Sequence, residues 1–166
     1  MAISLDTLTN NSTRFSRSAN SYTFNQRSRK AFLCHSHIDA QYVKGFIQLL
    51  KDENIDVYVD WQDSSMPEST NRETAVKIQQ KIQEADYFFF LATPNSVKSR
   101  WCPWEIGYAD GVKKYESIFI IPTQDRNGYY YGNEYLQLYQ KIDKSQQGPL
   151  AFWKPNTDNG RYMSSL

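Results

Sequence analysis

The stretch Ser99–Gly111, SRWCPWEIGYADG, sets one carboxylate, Glu105, among Trp101, Trp104 and Tyr108. Its composition fits a short helix. Trp101 and Glu105 are four apart, as are Trp104 and Tyr108, so each pair shares a helical face. Pro103 is tolerated in a first helical turn, where its missing N–H is one of the orphan donors. A carboxylate walled by indole rings is partly desolvated, which raises its pKa and sharpens its electrostatics. In the other reading the tryptophans are core and Glu105 is a solvated surface charge. Taken alone, the stretch fits that second reading better; the rest of the chain changes the balance.

The elements around it follow from periodicity. Ala31–Ser36 is a short, apolar, turn-bounded run, as expected of a strand buried on both faces. His35, Ser36, His37 and Asp39 crowd its carboxyl end. Residues 40–54 carry Val43, Phe46, Ile47 and Leu50 at helical spacing, with Asp39 placed to cap them and Asn54 to end them. Residues 55–60 read as a second strand, and 61–70 as a polar turn-like segment. A helix over 71–85, with Ala75, Ile78, Ile82 and Ala85 on one face, leads to a third strand over 87–93. The Ser99–Gly111 helix follows, with Lys113 and Lys114 near its end to complement its dipole. A fourth strand spans 117–123. Beyond it, 125–145 reads as a loop and then a short helix bearing Leu136, Leu138 and Tyr139, and 148–155 as a fifth, edge strand. This alternation predicts a three-layer, flavodoxin-like α/β fold, a central parallel sheet of about five strands with helices on both faces. In such folds the site lies beyond the carboxyl ends of the strands. Residues 35–39, 60–63 and 93–105 all fall there.

Composition narrows the classes. Nineteen Lys and Arg against 18 Asp and Glu give a net charge of +1, without the field of a nucleic-acid binder. The two cysteines, Cys34 and Cys102, lack metal-ligand spacing, which points to a reducing compartment. No apolar run reaches membrane-spanning length and the start lacks a secretory pattern. The expectation is a cytoplasmic protein with neither nucleic acid nor membrane as partner. Residues 1–29 are rich in Ser, Asn, Thr and Arg and read as a flexible or partner-dependent arm, with a transit peptide as the minor alternative. The domain proper is expected over 30–153, and 154–166 as a loose polar tail.

These residues resemble the Toll/interleukin-1 receptor (TIR) domain family over roughly 30–153. KAFLCHSHIDAQYVKGF is similar to its opening strand and loop, IDVYVDWQD to its second strand and the start of the next loop, and SRWCPWEIGYA to its Trp-Cys-x-x-Glu-aliphatic motif. The family holds scaffolds that assemble through TIR–TIR contacts and enzymes that cleave the nicotinamide–ribose bond of NAD⁺ with the glutamate of that motif. Retention of Glu105 implies the enzyme class, and a free-standing TIR domain resembles those of bacterial Thoeris-type anti-phage systems. Cys34 stands where a serine is usual, the loop after Asp60 lacks a frequent glycine, and the stretch after Pro122 is longer and more tyrosine-rich.

The resemblance implies a role for each candidate. NAD⁺ is substrate, so no cofactor is expected. Nicotinamide leaves as a neutral molecule, so a single desolvated carboxylate, Glu105, suffices where an ordinary glycosidase needs two. Trp101 would stack on a ring of the substrate. His35, Ser36 and His37 are donors to the pyrophosphate or turn and capping residues. Asp60 holds ribose hydroxyls or caps a loop; Trp61 closes over substrate, packs on a neighbouring subunit or covers the sheet edge; Arg100 touches phosphate or is solvated. Cys34, His35 and His37 have no third imidazole or carboxylate at ligand spacing, so no metal is expected. Self-association and an upstream trigger acting through the arm are the implied partners. A non-catalytic TIR module and a nucleoside deoxyribosyltransferase-like protein are the alternatives.

Overall fold

The apolar runs form the middle of one twisted sheet in a computed structural model, which describes residues 1–18, 29–55, 57–60, 71–157 and 159–166. In chain order the elements are β1 (Ile3–Ser4), α1 (Leu5–Ser18), β2 (Arg29–Cys34), α2 (Ala40–Asp52), β3 (Val57–Asp60), α3 (Arg72–Glu84), β4 (Tyr87–Ala92) and α4 (Cys102–Val112). Then come β5 (Ile118–Gln124), β6 (Tyr130–Tyr131), β7 (Gln140–Lys144), β8 (Leu150–Trp153) and β9 (Gly160–Tyr162). The sheet order is β3-β2-β4-β5-β7-β8-β9, with β1 and β6 flanking the end of β5. Strands β3, β2, β4, β5 and β7 are parallel, and β8 and β9 extend the sheet antiparallel.

Alternation along the central strands divides the core in two. Phe89, Phe119 and Ile121 pack with Leu5 and Leu8 of α1 and Val43, Phe46 and Leu50 of α2. Phe88, Phe90, Ile118 and Ile120 pack with Ile78 and Ile82 of α3 and Cys102, Ile106 and Ala109 of α4. These are the three layers expected. The register, Phe32 beside Asp60, Cys34 beside Phe90 and Ala92 beside Pro122, brings the carboxyl ends of β3, β2, β4 and β5 to one rim.

Four expectations fail here, each for a tertiary reason. Residues 1–18 are not a free arm. Ile3 pairs in β1 with Thr123 of β5, and Ser4 Oγ accepts the Thr7 N–H at 3.0 Å as a helix cap. The helix then crosses α2 at Gly45, where a Cβ would stand 1.9 Å from the Leu8 carbonyl oxygen. Arg14 to Asp52 at 2.6 Å and Arg126 to Asp6 at 2.9 Å pin its two ends. The short helix expected within 125–145 is a 3₁₀ turn, Glu134–Leu138, followed by the unexpected strand β7. Strand β8 is not an edge strand, because β9 pairs outside it. The tail is therefore partly structured, and Met163 is buried.

Candidate functional site

Glu105 sits in the first turn of α4. Ser99 Oγ accepts the backbone N–H of Trp101 at 3.1 Å and of Cys102 at 3.3 Å, and Pro103 follows at a position that needs no N–H partner. The helix start is thereby fixed without a conventional cap, and its N–H groups favour a negative charge in that turn. The side chain points inward, with Cys102, Ile106 and Ala109 buried on the same helix. Glu105 is only 8% exposed. Burial pushes its pKa up from 4.5 to about 7, and a hydrogen bond from the Cys34 thiol pulls part of the way back. Cys34 is itself buried, which raises its thiol pKa well above normal. Its Sγ also lies 3.9 Å from the Cys102 carbonyl oxygen. The site is thus a carboxylate that changes charge near neutral pH, held between the end of β2 and the start of α4.

A second carboxylate lies at the same rim. Asp39 is fully buried. The expected cap bond to α2 is absent. Instead its two oxygens accept the Thr93 hydroxyl and the Asn95 side-chain amide, the latter at 2.6 Å. Thr93 and Ser96 bond one another through backbone and hydroxyl groups. This cluster bolts the loop after β2 to the loop after β4, the two loops that frame Glu105. Lys113 likewise serves a neighbouring helix rather than its own: its ammonium donates to the Ala85 carbonyl at the end of α3.

The other predicted residues divide. His35 is half-buried and donates from Nδ1 to the Leu33 carbonyl at 2.9 Å; burial lowers its pKa. Ser36 is buried beside it and makes no side-chain cap bond. Trp101 is half-buried one turn ahead of Glu105, whose N–H bonds the Trp101 carbonyl at 2.8 Å. It meets Trp104 edge to face at 5.2 Å, and Trp104 in turn stacks on Tyr108. Asp60 ends β3 at the rim, paired in register with Phe32; its side chain, and Trp61 with the loop to Thr70, lie outside the described residues. Glu105, His35, Ser36 and Trp101 therefore share one rim. Sequence reasoning missed the Cys34 bond to Glu105, although Cys34 was the visible departure from serine. It also missed Tyr135, which stands near Cys34 and Cys102. Among the described residues no cluster of His, Cys, Asp and Glu could hold a metal, and no helix is long and apolar enough to cross a membrane.

Residues 31–151 match the model of the TIR domain family, and the chain belongs to that family. A relative from Bacillus cereus (strain MSX-D12), described as a probable 3′ cyclic ADP-D-ribose synthase ThsB′, is 36% identical over 68% of this chain and 60% of its own length. Another from Cytobacillus dafuensis, a putative cyclic ADP-D-ribose synthase TIR2, is 27% identical over 61% of this chain and 27% of its own. The chain thus matches less than two thirds of the length of these curated relatives. The solved structure of Clostridium botulinum CMP N-glycosidase BcmB matches with TM-score 0.37 and 19% identity over 55% of this chain and 70% of that one, a likeness too slight to carry an argument.

Proposed function

We propose that this chain cleaves the nicotinamide–ribose bond of NAD⁺ and releases an ADP-ribose-derived signal in Thoeris-type bacterial anti-phage defence. The observation that carries this reading is Glu105, a nearly closed-off carboxylate with a pKa of about 7 in the first turn of α4. The likeness to relatives described as cyclic ADP-D-ribose synthases supports it. The C–N bond breaks with its electron pair going to the nicotinamide ring, which was cationic and leaves neutral, so no acid is required. Positive charge then develops on the ribose. A preorganised carboxylate in a dry setting stabilises it at the moment it forms. A hydroxyl of the same molecule, or water, adds to the sugar carbon and releases its proton to solvent.

Trp101 lies against a substrate ring and excludes water, which decides between closing a ring and simple hydrolysis. His35 and Ser36 meet the pyrophosphate at the end of β2, and Asp60 the ribose hydroxyls. Trp61 and its loop complete the site against a neighbouring copy, so self-association, set by an upstream trigger, raises activity. The protein works in the cytoplasm with NAD⁺ as substrate and no cofactor. The test incubates purified protein with NAD⁺ and follows free nicotinamide, with Glu105→Gln beside it. Release by the wild type that the variant loses supports the reading; no release in any assembled form returns the chain to the scaffold class. Specific activity that rises with protein concentration supports the contact between copies, and flat activity from a demonstrated monomer overturns it.

A further inference from the structure

The tyrosine-rich stretch after Pro122 returns to the Glu105 site. Its backbone reverses at Gly132 and Glu134, which have φ of 141° and 59°. A Cβ on Gly132 would stand 2.9 Å from the Pro122 Cβ, so that position needs glycine. Glu134 is, among the described residues, the one at positive φ that is neither glycine nor asparagine. Such a conformation persists only where surrounding contacts impose it. Those contacts run along α4. Leu136 is buried in the same cluster as Cys102, Ile106 and Ala109. The Tyr115 hydroxyl donates to the Leu138 carbonyl at 2.8 Å, and the Tyr115 ring stacks on Tyr139 at 6.3 Å. The Tyr139 hydroxyl bonds the Asp110 carboxylate near the end of α4. The turn Glu134–Leu138 thus lies against α4 in the opposite sense, which brings Tyr135 to the start of that helix, near Cys34 and Cys102.

Those two cysteines flank Glu105: the Cys34 thiol bonds it, and Cys102 lies one turn before it on the same helix. Tyr135 therefore stands at the mouth of the site, and it differs from the tyrosines around it. The hydroxyls of Tyr115, Tyr131 and Tyr139 are each bonded within the protein. Tyr135 is 39% exposed, and among the described residues its hydroxyl has no hydrogen-bond partner. Partial burial raises its pKa above the ordinary 10, so it keeps its proton near neutral pH and stays a donor. Glu105, once ionised, only accepts hydrogen bonds. The two groups are complementary: one meets developing positive charge, the other an oxygen.

We propose that Tyr135 is a substrate-contacting residue of the Glu105 site, its hydroxyl donating a hydrogen bond to an oxygen of the bound dinucleotide. This rests on the reading of NAD⁺ as substrate, whose ribose and pyrophosphate oxygens are acceptors on either side of the scissile sugar. The strained turn at Glu134 and the anchors at Leu136 and Tyr139 hold that donor in place before substrate arrives.

The test compares nicotinamide release by the wild type, Tyr135→Phe and Tyr162→Phe. Phenylalanine keeps the ring and its packing and removes only the donor. In Tyr135→Phe, KM for NAD⁺ should rise about threefold to tenfold, the scale of one neutral hydrogen bond, with kcat within about twofold and the melting temperature unchanged. Tyr162→Phe removes a hydroxyl on β9 that donates to Gln147, and should leave KM as it is. The same contact is read without turnover by calorimetric titration with NAD⁺ of Glu105→Gln and of Glu105→Gln with Tyr135→Phe. The second should bind about threefold to tenfold more weakly. Unchanged KM in Tyr135→Phe, or an equal rise in Tyr162→Phe, overturns the proposal and leaves the NAD⁺ reading standing. If the wild type releases no nicotinamide, that reading fails by itself. Equal NAD⁺ affinity of the two Glu105→Gln proteins, or saturable binding by neither, then overturns the proposal as well.

Discussion

Two carboxylates lie buried at one rim, and the difference between them separates structure from chemistry. Asp39 accepts hydrogen bonds on both oxygens, from Thr93 and Asn95. Its charge is saturated and its task is to tie two loops together. Glu105 is almost as deeply buried, but among the described residues the side-chain donor it meets is the weak thiol of Cys34. Desolvation therefore dominates, and its pKa rises to about 7. An under-bonded charge is expensive to keep and is available to stabilise an opposite charge that arrives with substrate. A saturated one is not.

Breaking each carboxylate should expose the contrast. Glu105→Gln should lower nicotinamide release on the order of 10²–10³-fold, the scale for removing one such electrostatic group, with the circular dichroism spectrum unchanged. Undiminished release from a folded variant would end the assignment. Asp39→Ala leaves Thr93 and Asn95 without their acceptor. It should cost roughly 2–4 kcal/mol in urea denaturation, from two hydrogen bonds to a charged group; a loss under about 0.5 kcal/mol would mean that the cluster does not hold the rim.

Stability should move the other way at Glu105. Its pKa is near 4.5 in the unfolded chain and about 7 when folded, so the folded state holds the extra proton between those values. The contribution of Glu105 to wild-type stability therefore falls as pH rises from about 4.5 through 7. Glu105→Gln escapes that penalty and should be more stable than wild type by up to about 3 kcal/mol at pH 8, with no gain at pH 4. Equal stability of the two at pH 8 would show that the carboxylate is better solvated than the fold indicates. The smallest effect is expected at Trp101. Because it is half-buried, Trp101→Ala should cost about 1–2 kcal/mol, below the 3–5 kcal/mol of a fully buried tryptophan. KM for NAD⁺ should rise about tenfold, the scale of one lost stacking contact. A large fall in melting temperature with unchanged KM would make Trp101 a core residue.

The central fold was legible because its strands are buried on both faces: FFFLA in β4 and IFII in β5 have no polar alternation to confuse. The rim followed from the alternation of strands and helices, and Glu105 stood out from its place on that rim and from the resemblance of its motif, since its aromatic neighbours alone fit a core reading better. What escaped depends on contacts between distant residues. In α1, Ser, Thr and Asn side chains bond back to the helix's own carbonyls, as Thr9 does to Leu5 at 3.0 Å, so a polar segment that resembles a loose arm is helical once Leu8 docks beside Gly45. In β7, QKIDK has one apolar residue, Ile142, and becomes a strand only because β5 and β8 pair with it. Asp39 sits where a cap should, and nothing local reveals that Thr93 and Asn95 will claim it.

The most direct test of the account is the pH dependence of kcat/KM for nicotinamide release, because that ratio reports the ionisation of the free enzyme. With Glu105 acting as the carboxylate, kcat/KM should climb about tenfold per pH unit at low pH and level off above an inflection near 7, where burial places its pKa. A profile flat from about pH 5 to 9, or one that falls across that range, would contradict the claim that an ionised, desolvated Glu105 drives the reaction.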